Sequence, residues 1–435
     1  MADLRSNFIG IKSPNPFWLA SAPPTDKAYN VVRAFKAGWG GAVWKTLGED
    51  PHVVNVNGPR YGAIHSKDRT LIGFNNIELI TDRPLEVNLR EIKEVKRDWP
   101  DRAVVVSLMV PCEEESWKKI LPLVEDTGAD GIELNFGCPH GMSERGMGSA
   151  VGQVPEYVEM VARWCKQHTR MPVIVKLTPN ITDIRHPARA AKSGGADAVS
   201  LINTINSIVS VDLDAMAPYP HTDGKATHGG YCGPAVKPIA MNMVAEIARD
   251  SETAGIPISA IGGITTWRDA VEFMTLGAAN AQVCTAAMTY GFRIVDDMIA
   301  GMSDWMDEKG YTSVDQFVGA AVPKVTDWQY LNLNYIAKAK IDQELCIKCG
   351  RCHVVCEDTS HQAITSQVDG KRHFEVIDEE CVGCNLCVSV CPVEGCIDLV
   401  QMKDGVDPRT GKPISSDYAN WTTHPNNPMA ASAAE

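Results

Sequence analysis

Short runs of apolar and β-branched residues, each bounded by turn residues, recur along the first part of the chain and alternate with stretches of helical period. Eight such runs read as strands: FWLASA (17–22), GAVWKTL (41–47), AVVVSLMV (103–110), GIELNFG (131–137), PVIVKLT (172–178), AVSLINT (198–204), PISAIGG (257–263) and AQVCTA (281–286). Helical patterning lies between most of them, as in PEYVEMVARWCKQH (155–168) and WRDAVEFMTLG (267–277). AGWGGAV, TGADGIEL, SGGADAVSL and LGAANAQV each place a glycine a few residues before a strand, the way a helix stops and returns the chain to a parallel sheet. Alternation of this length predicts an α/β fold, a (β/α)8 barrel of the usual ~250 residues plus insertions. An open doubly wound sheet is the alternative the pattern leaves.

Two connections are too long for plain loops, 48–102 (partly helical) and 205–235. Both follow strand carboxyl ends, where barrel active sites form. The helical run FRIVDDMIAGMSDWMDEKG closes the barrel. The chain then divides into a barrel domain over 1–325, a connector over 326–340, a cysteine-rich α+β module over 341–400 and a tail over 401–435. That tail is rich in Pro, Asn, Ser and Ala and is expected to be extended or mobile.

With 435 residues, 44% hydrophobic and 22% charged, the chain is long enough for one large core plus a small module. The formal net charge of −13 argues against a nucleic-acid partner, which needs a basic surface. No window approaches the ~18 uninterrupted apolar residues of a membrane span. The start, MADLRSNFIGIKSPNPFW, lacks an apolar leader, so a cytoplasmic protein is expected.

The cysteines carry the most specific signal. Cys346, Cys349, Cys352 and Cys356 form C-x2-C-x2-C-x3-C, and Cys381, Cys384, Cys387 and Cys391, followed by Pro392, repeat it. Three thiolates on one loop hold one face of a [4Fe-4S] cube while the fourth reaches the other cube. This assigns Cys346, Cys349, Cys352 and Cys391 to one cluster, and Cys381, Cys384, Cys387 and Cys356 to the second. A pair of four-thiolate zinc sites is the competing reading, but it gives no reason for the third cysteine in each run. Glu357 stands where the ferredoxin pattern prefers proline, and Cys396 is extra, read as a buried structural thiol.

Clusters pass single electrons, so the barrel is expected to hold a cofactor that converts them to two-electron chemistry, as a flavin does. Gly262-Gly263-Ile264 and Thr285-Ala286 fall after strands 7 and 8, where barrels bind phosphate. Lys45 and Lys176 lie near strand ends, suited either to stabilising a reduced flavin or to ordinary ion pairs.

The segments NPFWLASAP, WKT, FNNIELITDRPLE, ELNFGCPHGMSERGMG, KLTPN, INT, GGI and QVCTA, followed by the double cluster motif, resemble the catalytic subunits of bacterial NAD-dependent dihydropyrimidine dehydrogenases. Their barrel belongs to the FMN-binding dihydroorotate dehydrogenase group, and the likeness covers about residues 8–400. The resemblance implies FMN contacts at Ser21, Lys45, Thr46, Lys176, Gly233, Gly262, Gly263, Ile264, Thr285 and Ala286. It implies pyrimidine contacts at Asn76, Asn135, Phe136, Gly137, Asn203 and Thr204, although relatives often carry serine at the position of Gly137. Asparagine suits a ring of alternating C=O and N–H groups, since its amide offers both a donor and an acceptor. Cys138 matches the general acid: a free thiol has a pKa of ~8.5 and is mostly protonated at neutral pH. By itself such a cysteine is more often a small buried apolar residue, as Cys112, Cys165, Cys232 and Cys284 are read. The loop HGMSERGMG is expected to act as a lid.

GMGSAVG (146–152) is not a dinucleotide fingerprint, because its spacing differs and it follows a loop. The resemblance therefore implies that NADH or NADPH electrons enter through a separate FAD- and NAD-binding subunit. It also implies a homodimer within a heterotetramer, in which the clusters of one protomer serve the flavin of its neighbour. The implied activity is reversible reduction of the C5–C6 double bond of uracil or thymine. Dihydroorotate oxidation, or a non-catalytic electron-transfer role, are the alternatives.

Overall fold

The computed structural model of the chain describes residues 2–49, 55–332, 335–359 and 361–402. The tail expected over 401–435 falls, after residue 402, outside the described residues. The chain forms two compact units, residues 1–325 and 326–435.

In the first unit eight parallel strands close on themselves: β1 (Phe17–Leu19), β2 (Gly41–Leu47), β3 (Ala103–Leu108), β4 (Gly131–Asn135), β5 (Val173–Lys176), β6 (Ala198–Leu201), β7 (Ile258–Ile261) and β8 (Ala278–Val283). Each pairs with its neighbours in sequence, and β8 returns to β1 with Ala281 opposite Phe17. Closure removes the open-sheet alternative. Around the barrel lie α1 (Ala28–Ala37), α2 (Leu85–Asp98), α3 (Glu114–Glu125), α4 (Pro155–His168), α5 (Arg185–Ser193), α6 (Lys237–Arg249), α7 (Trp267–Thr275) and α8 (Ile294–Lys309).

Local chemistry explains these elements. All seven residues of β2 are buried, as expected of a strand packed between barrel interior and helices. In α4, Pro155 opens the helix, and Val158, Val161, Ala162 and Cys165 bury one face at helical spacing. Lys166 and His168 in its last turn offset the negative end of the helix dipole. Thr266 and Asp269 cap α7 reciprocally, the Thr266 amide donating to the Asp269 carboxylate at 2.7 Å. Gly38, at φ +114°, ends α1 in a backbone conformation that a side chain would strain.

The last strand differs from its expected position. It begins at Ala278 rather than Ala281, and Thr285–Ala286 open a short helix (Thr285–Tyr290) instead of ending the strand. The run Ala278-Ala279-Asn280 has little intrinsic strand preference, and pairing with β7 extends the strand through it.

An antiparallel hairpin, Ser6–Phe8 with Ile11–Ser13, covers the amino-terminal ends of the strands. Phe8 meets Trp18 edge-on at 5.9 Å, and with Ile11, Val43, Val105 and Ile174 forms a separate buried cluster. At the opposite end the two long connections join. Tyr61–His65, Leu71–Asn76, Gly229–Cys232 and Ile205–Ser207 make one four-stranded antiparallel sheet, with Asn76 between Tyr61 and Gly230. These segments form strands as well as the expected helix.

The second unit is built on Ala337–Ile341 paired antiparallel with Ile397–Gln401, with short helices at Arg351–Glu357 and Leu386–Val390. Its core contains Ile341, Ile364, Phe374 and Ile397 together with cysteines of both motifs. Among the described residues no helix is long and apolar enough to cross a membrane.

Candidate active site

A cavity of about 1150 Å³, partly open to solvent, lies at the carboxyl ends of the barrel strands. Its walls come from the carboxyl-terminal ends of several strands and from the mouth sheet, the usual place of a ligand site in such a barrel. All ten positions matched to FMN line it: Ser21, Lys45, Thr46, Lys176, Gly233, Gly262, Gly263, Ile264, Thr285 and Ala286. Asn76, Asn135, Cys138, Asn203 and Thr204 line it as well. Two expected substrate positions do not. The ring of Phe136 sits behind the strand against Trp117 at 6.5 Å, and Gly137 has no side chain to contribute.

The barrel interior delivers two buried cations to this cavity, each already paired. Lys45 Nζ lies 2.7 Å from Glu78 and 3.7 Å from Asp26. Burial would raise the Glu78 carboxyl, but Lys45 and Arg60 hold it below its ordinary range. Asp26, by contrast, is raised, burial outweighing Lys45. Lys176 Nζ lies 3.4 Å from Glu133, which is fully buried on β4. Glu133 also accepts from Ser200 Oγ at 2.8 Å and from Gln282 Nε2 at 3.4 Å. A buried charge of this kind persists only when paired and hydrogen-bonded. Each lysine is thus an ion pair on a cavity wall.

A chain of hydrogen bonds links the expected substrate side to the expected cofactor side. Asn203 Nδ2 donates to Asn135 Oδ1 at 2.9 Å, and Asn135 Nδ2 donates to Thr46 Oγ1 at 2.9 Å. Thr46 Oγ1 in turn lies 3.2 Å from Ser21 Oγ and 2.9 Å from Ser107 Oγ. The arrangement requires glycine at 137. A Cβ there would stand 2.3 Å from Asn203 Cβ and 2.6 Å from its Nδ2, so Asn203 fills the space of a side chain.

At the other end, Gly263 has φ +74°, and a Cβ on it would come within 2.9 Å of the Gly233 carbonyl. Two loops thus approach backbone to backbone. Beside them the short helix opens at Thr285, whose first amides have no carbonyl partner within the helix. A phosphate fits this wall of amides and the Thr285 hydroxyl.

Cys138 follows β4 on a loop pinned by the Ser149 amide to its own carbonyl (3.1 Å) and by His228 Nε2 at the Pro139 carbonyl (3.0 Å). Its sulfur packs in a cluster with Ile80, Met109, Met142 and Met147, and donates weakly to the His140 carbonyl at 3.4 Å. Burial pushes this thiol up to about 11, against the opposing influence of that contact and of Lys176. It therefore holds its proton at neutral pH.

Several lining residues were not singled out from the sequence. Tyr61 and Phe74 stack at 5.2 Å on the mouth sheet, and Tyr61 donates to Glu78 at 3.1 Å. His140, buried and pushed below its usual range by that burial, also reaches the cavity. Cys232 and Cys284 line it too, whereas Cys165 is in the core, on the buried face of α4.

In the second unit Cys346, Cys349, Cys352 and Cys391 line one small cavity, and Cys356, Cys381, Cys384 and Cys387 line another. Each quartet thus takes its fourth thiol from the other motif. No three of these or other His, Cys, Asp or Glu side chains among the described residues converge tightly enough for a single metal ion. Thiols ringing a cavity suit a cage several atoms wide better than a zinc ion.

The family model for dihydroorotate dehydrogenase matches residues 3–306, and that for a 4Fe-4S dicluster domain matches residues 339–399. The chain belongs to the dihydroorotate dehydrogenase family, a group of FMN-binding oxidoreductases, and carries a 4Fe-4S dicluster domain behind the barrel. Within that class it is 42% identical over 401 residues to the NAD-dependent dihydropyrimidine dehydrogenase subunit PreA of Escherichia coli K12, covering 92% of this chain and 96% of that one. It is 39% identical over 333 residues to the chloroplastic dihydropyrimidine dehydrogenase (NADP(+)) of Arabidopsis thaliana, covering 74% and 78%. Among solved structures, the dihydroorotate dehydrogenase of Eimeria tenella in complex with ferulenol matches with a TM-score of 0.59 at 19% identity, over 73% of this chain and 88% of that one. This last likeness concerns the fold.

Proposed function

We propose that the protein is the catalytic subunit of a dihydropyrimidine dehydrogenase, reducing the C5–C6 double bond of uracil or thymine. The carrying observation is a buried, protonated Cys138 on the wall of a cavity whose other expected substrate contacts, Asn76, Asn135, Asn203 and Thr204, are all neutral. The glycine wall, Thr285 and the two lysines would hold FMN, which when bound would supply the hydride for C6. Cys138 delivers the proton to C5 from the opposite ring face, and the asparagine amides hold the ring's carbonyl and N–H groups. The methionines and Ile80 packed around the thiol offer no competing proton donor.

The two cysteine quartets would hold the two clusters, which when bound would supply single electrons for the flavin, with a separate FAD- and NAD-binding subunit as their source. A homodimer inside a heterotetramer is the assembly proposed, with the loop after Cys138 serving as the lid.

Dihydroorotate oxidation is the second reading, since the family name includes it. Its carboxylate needs a free cation. Among the described residues, the only lysines or arginines lining the cavity are Lys45 and Lys176, each engaged by a carboxylate. Arg83 faces Glu91 and the Asp26 carbonyl instead. Oxidation of dihydrouracil and of dihydroorotate, measured side by side with an artificial electron acceptor, tests the proposal. Turnover is expected with dihydrouracil, and turnover with dihydroorotate alone would replace the proposal with the second reading.

Two further outcomes follow from the geometry. Gly137→Ser is expected to displace Asn203 and break its bond to Asn135. One such bond is worth ~1–1.5 kcal/mol, so KM for the pyrimidine should rise about tenfold, with flavin content unchanged, in steady-state kinetics. The second concerns pH. A thiol titrating at about 11 remains an acid throughout the neutral range. The rate of pyrimidine reduction by the reduced protein should therefore show no thiol limb near pH 8.5, and fall only as pH rises through about 11.

A further inference from the structure

The inside of a (β/α)8 barrel is usually filled by layers of branched apolar side chains. Beneath the cavity this barrel departs from that rule. Glu133 on β4, Lys176 on β5, Ser200 on β6, Ser259 on β7 and Gln282 on β8 are all polar and all buried. They meet across the interior, since β4 touches neither β6 nor β8 in the sheet, yet Glu133 reaches side chains on both.

The network is built around Glu133. Its Oε2 accepts from Ser200 Oγ at 2.8 Å and from Gln282 Nε2 at 3.4 Å, and Gln282 Nε2 also donates to Ser259 Oγ at 2.8 Å. Its Oε1 accepts no hydrogen bond, but stands 3.4 Å from Lys176 Nζ. The two cavity lysines differ in this respect. Lys45 Nζ donates to Glu78 at 2.7 Å. Lys176 Nζ makes no hydrogen bond among the described residues: Glu133 meets its charge and leaves its N–H donors unspent. A buried ammonium without an acceptor is costly, so the missing acceptor belongs to whatever fills the cavity that Lys176 lines. Glu133 itself does not line that cavity, so it touches no ligand there.

We propose that Glu133 is a positioning residue for the reaction. It acts through Lys176, neutralising that ammonium from beneath without taking its donors, and so sets how strongly the lysine favours negative charge on the bound cofactor. The inference rests on FMN as the occupant of the cavity, which when bound carries more negative charge reduced than oxidised. An uncompensated Lys176 would favour the reduced form more strongly and weaken the drive to hand a hydride to the substrate. Paired with Glu133, the lysine keeps its donors for the ligand while its field is cut down.

The test is a redox titration of the bound flavin in the full chain, in Glu133→Gln, in Lys176→Met and in the double variant, each with its flavin content. No pyrimidine is present, so the result is independent of the proposed substrate, and a cavity that does not hold FMN would show itself in the unaltered protein. Glu133→Gln keeps the shape and an acceptor for Ser200 while removing the charge. It should raise the reduced-to-oxidised ratio of the flavin about tenfold at fixed potential, ~30 mV for a two-electron couple. Lys176→Met should move the ratio the other way. Adding Glu133→Gln to Lys176→Met should change nothing further, because a buried carboxylate that has lost its cation takes up a proton. An unchanged or lowered potential in Glu133→Gln, or a tenfold effect of that substitution in the methionine background, would overturn the proposal. Should Glu133→Gln alone fail to fold, the double variant, which removes both charges, is expected to restore folding and flavin. Failure of both would overturn the proposal too and leave Glu133 a structural residue.

Discussion

Replacing Cys138 by alanine is expected to lower pyrimidine turnover by ~10²- to 10⁴-fold, the range attributed to a general acid, while flavin and iron contents stay as they were. The size of the effect follows from the surroundings of the sulfur. Cys138 packs against Ile80, Met109, Met142 and Met147, none of which carries a proton to replace the one lost. Retention of flavin follows from the same geometry, since the glycine wall and Thr285 lie elsewhere on the cavity and the alanine removes one atom from a loop held by Ser149 and His228. Lys176, which exerts a charge on the thiol, remains paired with Glu133. Steady-state rates, with absorbance for flavin and chemical analysis for iron, check both halves. Unchanged turnover would remove Cys138 from the mechanism.

Cys384→Ala is expected to have the second large effect, of a different kind. Cys384 is exposed at the rim of the cavity shared with Cys356, Cys381 and Cys387, so its loss opens one quartet without disturbing the buried core of the module. A four-iron cube with three protein thiolates loses iron readily. Half of the iron should be lost, and turnover with reduced nicotinamide and the partner subunit should fall to background. The barrel, a separate compact unit, should keep its flavin and still reduce uracil when the flavin is reduced chemically. Iron analysis and the two assays side by side distinguish a broken electron path from a broken site.

The barrel was legible because each of its strands is an apolar run, and each helix beside it carries a clear face, as Val158, Val161, Ala162 and Cys165 do in α4. The mouth sheet was not. Its strands Ile205–Ser207 and Gly229–Cys232 are three and four residues long and polar or glycine-rich. Only pairing makes them strands, Gly229–Cys232 with Leu71–Asn76 far away in sequence and Ile205–Ser207 with Gly229–Cys232 in turn. The start of β8 was hidden for the same reason, being specified by its neighbour rather than by its own residues.

In the site, glycines, asparagines and the thiol were legible through motif resemblance, and the structure brings most of them to one cavity. Phe136 lies off the cavity, its ring turned to Trp117, a side-chain direction that the motif does not encode. Glu133 carried a signal that went unused: a charge in the middle of the apolar strand GIELN must face a partner, and that partner is Lys176. Glu78 and His140 gave no such sign, since each lies in a loop segment whose burial arises only when the mouth sheet folds over it.

The most direct measurement is a single-turnover reaction. Protein purified without oxygen should show flavin absorption on an iron-sulfur background, and addition of uracil to the reduced sample should reoxidise the flavin as dihydrouracil forms. The Cys138→Ala protein should carry the same chromophores and reoxidise at least a hundredfold more slowly, by roughly the lower end of the general-acid range. A reduced flavin that uracil leaves untouched, or one that the variant reoxidises as fast, would contradict the account.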